Sequence, residues 1–174
     1  MGKSAVSTSK VLRSSSDSNV ACSRLIGVIS DTHNQLRPEV LARLRRCELI
    51  LHAGDICRAE ILRELEALAP VHAVRGNNDR GAWAKRLPHS RTIEVDGWRI
   101  HMVHDLKELR VDPVKRGLDV VVSGHSHRPK LERRNGVLYL NPGSAGPHRF
   151  KLPVAIAHLR LHEGGVRARL WELA

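Results

Sequence analysis

Seven side chains able to bind a divalent metal ion are spread along this 174-residue chain, each just after an apolar segment. All of them offer an oxygen or an imidazole nitrogen, and none is a thiolate. They are Asp31, His33, Asp55, Asn77, His104, His125 and His127. This set exceeds what one tetrahedral ion accepts, but it suits two ions that share a carboxylate. Because two-metal sites hydrolyse phosphate esters, the set predicts a dinuclear hydrolytic centre.

The spacing within each motif indicates that these ligands converge. Extended backbone alternates its side chains, so D-T-H places Asp31 and His33 on one side, and G-H-S-H does the same for His125 and His127. A glycine directly precedes the ligand in G-D, in G-N-N-D and in G-H-S-H, where it permits a tight turn or a close approach of the backbone. In α/β sheets, ligands bind at the carboxyl ends of strands, where the loops meet.

The charge balance of such a centre also favours hydrolysis. Two divalent ions bring four positive charges, of which Asp31, Asp55 and a bridging hydroxide would offset three. The remaining positive charge can attract and polarise a phosphate ester. Asn77 is neutral, so it does not cancel that charge. The bridging hydroxide, formed from water acidified by the metals, is the expected nucleophile.

Hydrophobic periodicity predicts the elements that must position these residues. Strands over 25–30, 49–53 and 71–74 alternate with a helix that begins at Pro38 and a helix over 59–68. Asp96-Gly97 predicts a hairpin between strands over 91–95 and 98–103, followed by strands over 120–123, 137–140, 155–161 and 166–173. A parallel βαβ half and then an antiparallel half predict two sheets face to face, with helices outside.

Composition limits the partners. The formal net charge of +11 comes from 29 Lys and Arg against 18 Asp and Glu, and it would attract anions such as phosphate esters or nucleotides. The arginines are scattered and aromatic residues make up only 3%, which argues against specific nucleic-acid binding. No apolar run is long enough to span a bilayer, so no membrane partner is expected.

The chain length predicts one folded domain, over residues 24–174, after a Ser-rich and disordered tail over residues 1–23. Three cysteines without a C-x-x-C motif favour a reducing, cytoplasmic location. Cys57 follows Asp55 closely and could be a soft metal ligand, but a small residue opening a helix is the favoured interpretation.

The ordered set D-T-H, G-D, G-N-N-D, His104 and G-H-S-H resembles the calcineurin-like metallophosphoesterase superfamily. The short chain, V-R-G-N-N-D and N-P-G-S at residues 141–144 are similar to its small phosphodiesterases of the YfcE and MJ0936 type, to which the retromer subunit Vps29 is related. The resemblance implies an α/β fold, a four-layer αββα sandwich of two mixed β-sheets flanked by helices.

The resemblance also implies a ligand set for each metal. The first ion would be held by Asp31, His33, Asp55 and His127, and the second by Asp55, Asn77, His104 and His125, so that Asp55 bridges. Two divalent ions are expected, with Mn²⁺ the usual occupant and Ni²⁺, Fe²⁺, Zn²⁺ or Mg²⁺ as alternatives.

One position departs from the wider superfamily. Many members read G-N-H-[ED], and their histidine is proposed to protonate the leaving oxygen, whereas this chain has Asn78 there. An amide cannot act as an acid at neutral pH, so diesters with stable leaving groups should react best. Asp79 is expected to orient Asn78 or a ligand histidine. His148 and Arg149 are candidates for substrate contact or for a replacement acid.

Two functions from different classes fit the sequence. The first is a metal-dependent phosphodiesterase that acts on a small phosphate ester or a nucleotide-like substrate, with homo-oligomerisation left open. The alternative is a non-catalytic, Vps29-like protein-interaction scaffold. That relative has lost or altered metal ligands, whereas the complete set is present here, so the hydrolase is the favoured interpretation.

Overall fold

The computed structural model describes residues 23–149 and 151–173, which form two mixed five-stranded sheets. The strands are β1 (Arg24–Ile29), β2 (Leu49–His52), β3 (Val71–Ala73), β4 (Ser90–Val95), β5 (Trp98–Val103), β6 (Val120–Val122), β7 (Lys130–Arg134), β8 (Val137–Asn141), β9 (Val154–His162) and β10 (Gly165–Leu173). The α-helices are α1 (Pro38–Leu44) and α2 (Ala59–Glu66), and 3₁₀ turns cover Ala84–Arg86 and Leu106–Glu108.

The first sheet has the order β10-β9-β1-β2-β3. Its parallel pairs β1–β2 and β2–β3 are joined through α1 and α2, as the alternating pattern predicted. The strand β1 is apolar along most of its length because both of its faces are covered. Pro38 stands at the start of α1, where its missing N–H costs no helical hydrogen bond.

The second sheet has the order β4-β5-β6-β8-β7 and differs from the prediction of an antiparallel half. The Asp96-Gly97 hairpin between β4 and β5 is confirmed, but β5–β6 and β6–β8 are parallel pairs. The strands β9 and β10 join the first sheet instead, where β9 pairs antiparallel with β1. The edge strand β7 was missed, because four of its five residues are charged.

The two sheets enclose the main core, and a second core lies between the first sheet and its helices. Ile26, Leu51 and Val122 belong to the first core, and Val40, Leu44 and Ile61 to the second. The predicted α/β sandwich is confirmed, with one difference in its outer layers. Within the described ranges, the second sheet is covered by residues 105–118, which contain a 3₁₀ turn but no α-helix. In this segment the Asp112 carboxylate accepts the N–H groups of Val114 and Lys115, which favours a turn at Asp112-Pro113.

The predicted tail over residues 1–23 lies outside the described residues except for Ser23. In the part of the chain that the structure describes, no helix has the length and apolar character needed to cross a membrane.

Candidate metal centre

The predicted ligands lie at the edge where the carboxyl ends of strands from both sheets meet. Asp31 and His33 follow β1, Asp55 follows β2, and Asn77 follows β3. His104, His125 and His127 follow β5 and β6 of the second sheet. The structure therefore brings all seven predicted ligands together, although up to 96 residues of sequence separate them.

The first group of side chains consists of Asp31, His33 and His127. The Nε2 atoms of the two histidines lie 3.2 Å apart, and they face Oδ1 of Asp31 at 3.8 Å (His33) and 3.2 Å (His127). This Oδ1 atom is buried and accepts no hydrogen bond from the described residues. A carboxylate oxygen that is buried without a donor is costly, so a cation among these three atoms would satisfy the group.

The second group consists of Asn77, His104 and His125. The Asn77 Oδ1 atom lies 3.1 Å from His104 Nε2 and 3.1 Å from His125 Nδ1. The other ring nitrogen of His104 donates to the carbonyl of Ala53 at 2.7 Å, and this bond aims Nε2 at the centre. The His125 side chain is 45% exposed, whereas that of His104 is 4% exposed, so solvent reaches the centre on the His125 side.

Asp55 lies between the two groups. Its Oδ2 atom is 3.8 Å from His33 Nε2, and its Oδ1 atom is 3.5 Å from His104 Nε2. One carboxylate oxygen therefore faces each group, which is the arrangement that a bridging ligand needs. Asp31 is close to the second group too, because its oxygen lies within 4.8 Å of ligand atoms from Asp55 and His104.

The backbone of the ligand loops is strained. Left-handed φ values between 43° and 65° occur at Asp31, His33, Asp55, His125 and His127. Each such residue costs about 1–3 kcal/mol, and the strain persists only where neighbouring structure fixes it. Here the loops fix one another, because the N–H of Asp31 donates to the carbonyl of Gly54 at 2.9 Å and that of His33 to the carbonyl of Asp55 at 3.0 Å.

Two of the glycines next to ligands are required by close packing. A Cβ on Gly76 would lie 2.2 Å from both N and Oδ1 of Asp55. A Cβ on Gly124 would lie 1.9 Å from Ser30 Oγ and 2.7 Å from Asp31 Oδ2. The expected close approach of the backbone to the cluster is therefore present at both positions.

The charges in the centre are coupled. Burial disfavours protonation of His104, but the neighbouring Asp55 and Asp31 carboxylates outweigh it and raise the pKa of His104 to about 9. Burial alone would raise the pKa of Asp55, yet His104 and the N–H groups of Asn78 hold that pKa well below its usual range. Burial and the Arg149 guanidinium lower the pKa of His33, which favours the neutral ring that a metal requires.

The His52 ring contacts the D-T-H loop and the Gly54-Asp55 loop on their buried side. Its ring is fully buried, its Nδ1 atom accepts the N–H of Gly54 at 3.2 Å, and its Nε2 atom lies 3.0 Å from Thr32 Oγ1. Burial lowers the pKa of His52 to about 3, so the ring is neutral.

Asp79 acts on the ligand loops in a way that the sequence did not indicate. Its carboxylate accepts three backbone N–H groups, those of Asp55 at 3.1 Å, Cys57 at 2.7 Å and Gly76 at 2.7 Å. These bonds correct the expectation that Asp79 orients Asn78 or a ligand histidine. Asn78 instead donates to Asp55, with its backbone N–H to Oδ1 at 2.8 Å and its side-chain amide to Oδ2 at 2.6 Å.

A cavity of about 440 Å³ opens beside His33. Its lining includes Asn78, Cys57 and the two cationic side chains Arg80 and Arg149. Arg149 therefore lies beside the centre, whereas His148 does not line this cavity, and both side chains are exposed. A substrate contact or an acid role for either residue stays a prediction. Cys57 does not open α2, because it precedes the helix by two residues. Its Sγ atom lies 3.7 Å from His33 Nδ1, and burial raises the pKa of its thiol to about 11.

The N-P-G-S motif positions two ligand loops, a role that the sequence analysis did not assign to it. Asn141 donates its side-chain amide to the carbonyl of Gly124 at 2.7 Å and to Ser126 Oγ at 3.1 Å. Ser144 donates its hydroxyl to the carbonyl of Asp31 at 2.9 Å. The motif itself was visible in the sequence, but its contacts span up to 113 residues and depend on the fold.

The chain matches the calcineurin-like phosphoesterase superfamily domain over residues 25–164. It is 42% identical over 141 residues to a probable metallophosphoesterase of Methanothermobacter thermautotrophicus, covering 74% of this chain and 81% of that protein. It is 30% identical over 147 residues to the phosphodiesterase MJ0936 of Methanocaldococcus jannaschii, covering 74% and 88%. Vps29 from Cryptosporidium parvum superposes with a TM-score of 0.70 at 19% identity, over 87% of this chain and 98% of that one, and therefore shares the fold.

Proposed function

This chain belongs to the calcineurin-like phosphoesterase superfamily, and we propose that it is a dinuclear, metal-dependent phosphodiesterase acting on small phosphate diesters. The observation that carries the proposal is the position of Asp55, whose two carboxylate oxygens face separate groups of metal-ligating side chains. The name of the phosphodiesterase relative supports the choice of reaction.

The residues around the centre have separate tasks in this proposal. Bound divalent ions would supply Lewis acidity and an acidified water as the nucleophile. Asn78 holds both oxygens of Asp55 in place through its two N–H bonds. Arg80 and Arg149, beside His33, attract the phosphate and neutralise charge on its oxygens. His52 and Asp79 keep the ligand loops in their strained conformation.

The preference for diesters rests on Asn78. Its amide carries no proton that it can release at neutral pH, so an alkoxide leaving group receives no help from this position. His148, a candidate replacement acid, is exposed and does not line the cavity beside His33. Diesters whose leaving group is a stable anion should therefore react faster than alkyl monoesters.

Manganese is the proposed occupant, because imidazole-rich ligand sets favour transition metals over Mg²⁺. The test is to strip the full-length protein with a chelator, reload it with Mn²⁺ or Mg²⁺ and measure metal content. Hydrolysis of bis(p-nitrophenyl) phosphate, which releases a stable aryl anion, is then compared with hydrolysis of glycerol 3-phosphate, an alkyl monoester. We expect two Mn²⁺ per chain and faster cleavage of the diester than of the monoester. Reloading with Mg²⁺ should restore less activity than reloading with Mn²⁺. A fully loaded protein that hydrolyses neither ester would contradict the proposal and favour the scaffold alternative.

A further inference from the structure

A second cavity, of about 670 Å³, extends from the metal centre along the outer face of the second sheet. His125, Ser126 and Asn141 form its inner end, next to the ligand loop of β6. Its other end is lined by Arg134 and Tyr139, on β7 and β8. This volume is within the range of small-molecule sites and exceeds what the reacting phosphate alone would fill.

The lining of the cavity carries more cations than carboxylates. Lys107, Arg128, Lys130 and Arg134 line it together with the carboxylates of Asp105 and Glu132. Glu132 is shared, at 2.7 Å from Lys130 and 2.8 Å from Arg134, so one carboxylate serves two cations. Exposed ion pairs contribute little to folding, so stability does not account for this cluster.

The cations of β7 lie next to the ligand loop of β6 and are grouped around Glu132. Lys130 pairs in register with Asn141, which itself bonds to the ligand loop at Gly124 and Ser126. Arg134 lies four residues further along β7, about 13 Å along the backbone at roughly 3.3 Å per residue. Its guanidinium and the Lys130 ammonium nevertheless contact the same oxygen of Glu132, so the two side chains form one cationic cluster, which suits a second anionic group of the substrate.

The outer end also offers a planar surface. The Arg134 guanidinium lies over the Tyr139 ring, with Cζ 4.8 Å from the ring centroid. Both side chains line the cavity, and the Arg134 side chain is 46% exposed. Nucleobases stack on guanidinium and aromatic planes of this kind, whereas small alkyl arms gain nothing from them.

We propose that this cavity binds a nucleotide arm of the substrate, with the base on the Arg134–Tyr139 pair and a further phosphate beside Lys130 and Arg128. The inference rests on the proposed function and narrows it to nucleotidyl diesters. It predicts a short, single-stranded ligand, because each recognised element is a single base or phosphate.

The test compares three chromogenic diesters with the Mn²⁺-loaded, full-length protein. They are bis(p-nitrophenyl) phosphate, the p-nitrophenyl ester of thymidine 5′-phosphate, and the same ester carrying a 3′-phosphate. We expect kcat/KM to rise along this series. Lys130→Ala combined with Arg134→Ala should lower kcat/KM for the phosphorylated nucleoside ester about tenfold or more, and change bis(p-nitrophenyl) phosphate hydrolysis less than about twofold.

Two further variants separate the contributions. Arg134→Lys keeps the charge but removes the guanidinium plane, so it should weaken both nucleoside esters and preserve the gain from the 3′-phosphate. Arg45→Ala combined with Arg63→Ala removes the same charge from the helical side and should leave all three rates unchanged. Equal losses on all three substrates in the Lys130/Arg134 variant, or no preference of the wild type for nucleoside esters, would overturn the inference.

Binding distinguishes failure of the inference from failure of the function. Calorimetric titration with thymidine 3′,5′-bisphosphate requires no catalysis, and we expect the Lys130/Arg134 variant to bind it about tenfold more weakly than wild type. If the wild type hydrolyses no ester but shows this difference in binding, the hydrolase is wrong and the nucleotide site stands. If it hydrolyses the small diester but binding is unaffected by the variant, the nucleotide site is wrong.

Discussion

Replacing Asp79 by Asn should loosen the ligand loops without removing any predicted metal ligand. The fully buried Asp79 carboxylate accepts the N–H groups of Asp55 and Gly76 at one oxygen and that of Cys57 at the other. An amide can supply only one acceptor oxygen. If that oxygen keeps the bonds to Asp55 and Gly76, the NH₂ group must face the N–H of Cys57. Two donors would then oppose each other where Cys57 N and Asp79 Oδ1 are 2.7 Å apart in the wild type.

The expected loss of stability follows from this geometry. A hydrogen bond to a charged group contributes about 1.5–3 kcal/mol to stability. The buried N–H of Cys57, left without an acceptor, adds a further cost. We therefore expect the free energy of unfolding of the metal-free protein to fall by about 2–4 kcal/mol. For a domain of this size, that corresponds to a decrease in Tm of roughly 10 °C. Metal affinity should fall about 10- to 100-fold, as is typical when a partner behind the ligands is altered.

The assay measures both quantities separately. Urea unfolding of chelator-treated protein gives the stability, and calorimetric titration with Mn²⁺, at a temperature where wild type and variant are folded, gives the affinity. Asp119→Asn is the matched control, because Asp119 accepts the N–H of Arg99 at 2.8 Å just before β6, at the end of the strand opposite the centre. We expect it to cost about 1 kcal/mol or less and to leave Mn²⁺ binding intact. An Asp79→Asn protein with wild-type stability and affinity would refute this account of the loops.

Three further predictions concern individual residues. Asp55→Ala should abolish Mn²⁺ binding and diester hydrolysis while the protein stays folded, because the apolar cores do not depend on it; two bound metals with retained activity would contradict its bridging role. Asn78→His should raise kcat/KM for an alkyl monoester relative to an aryl diester, because an imidazolium can protonate the leaving oxygen; an unchanged ratio at equal metal content would point to other determinants. His52 has a pKa of about 3 in the folded protein, below its usual 6.5, so the unfolded chain takes up its proton first and stability falls as pH drops from about 6.5 towards 3. Urea unfolding across this pH window gives the free energy of unfolding as a function of pH. Its slope should be up to about 1.4 kcal/mol per pH unit shallower in His52→Gln than in wild type. Identical slopes would rule out a neutral, buried ring.

The local features of the fold could be predicted from the sequence. The Asp96-Gly97 hairpin, the Pro38 helix start and the parallel β1–β2–β3 unit each depend on neighbouring residues or on short connections. Pairing between distant strands could not be predicted this way. Alternation indicates which side of a strand is buried, but it does not identify the strand beside it. The placement of β9 and β10 beside β1, and the parallel pairs of the second sheet, therefore appeared only in the structure.

The same distinction between local sequence and tertiary contacts applies to the candidate metal centre. The sequence by itself determined the ligand types and their positions after strands, because metals require particular donor atoms and loops converge at strand ends. Only the tertiary structure decided which oxygen of Asp55 faces which histidine, and that Asp79 fixes three loop N–H groups from 3 to 24 residues away. It also decided that a cationic cavity joins the centre to Tyr139. These contacts depend on side-chain direction and on backbone brought together across both sheets, which local sequence patterns do not specify.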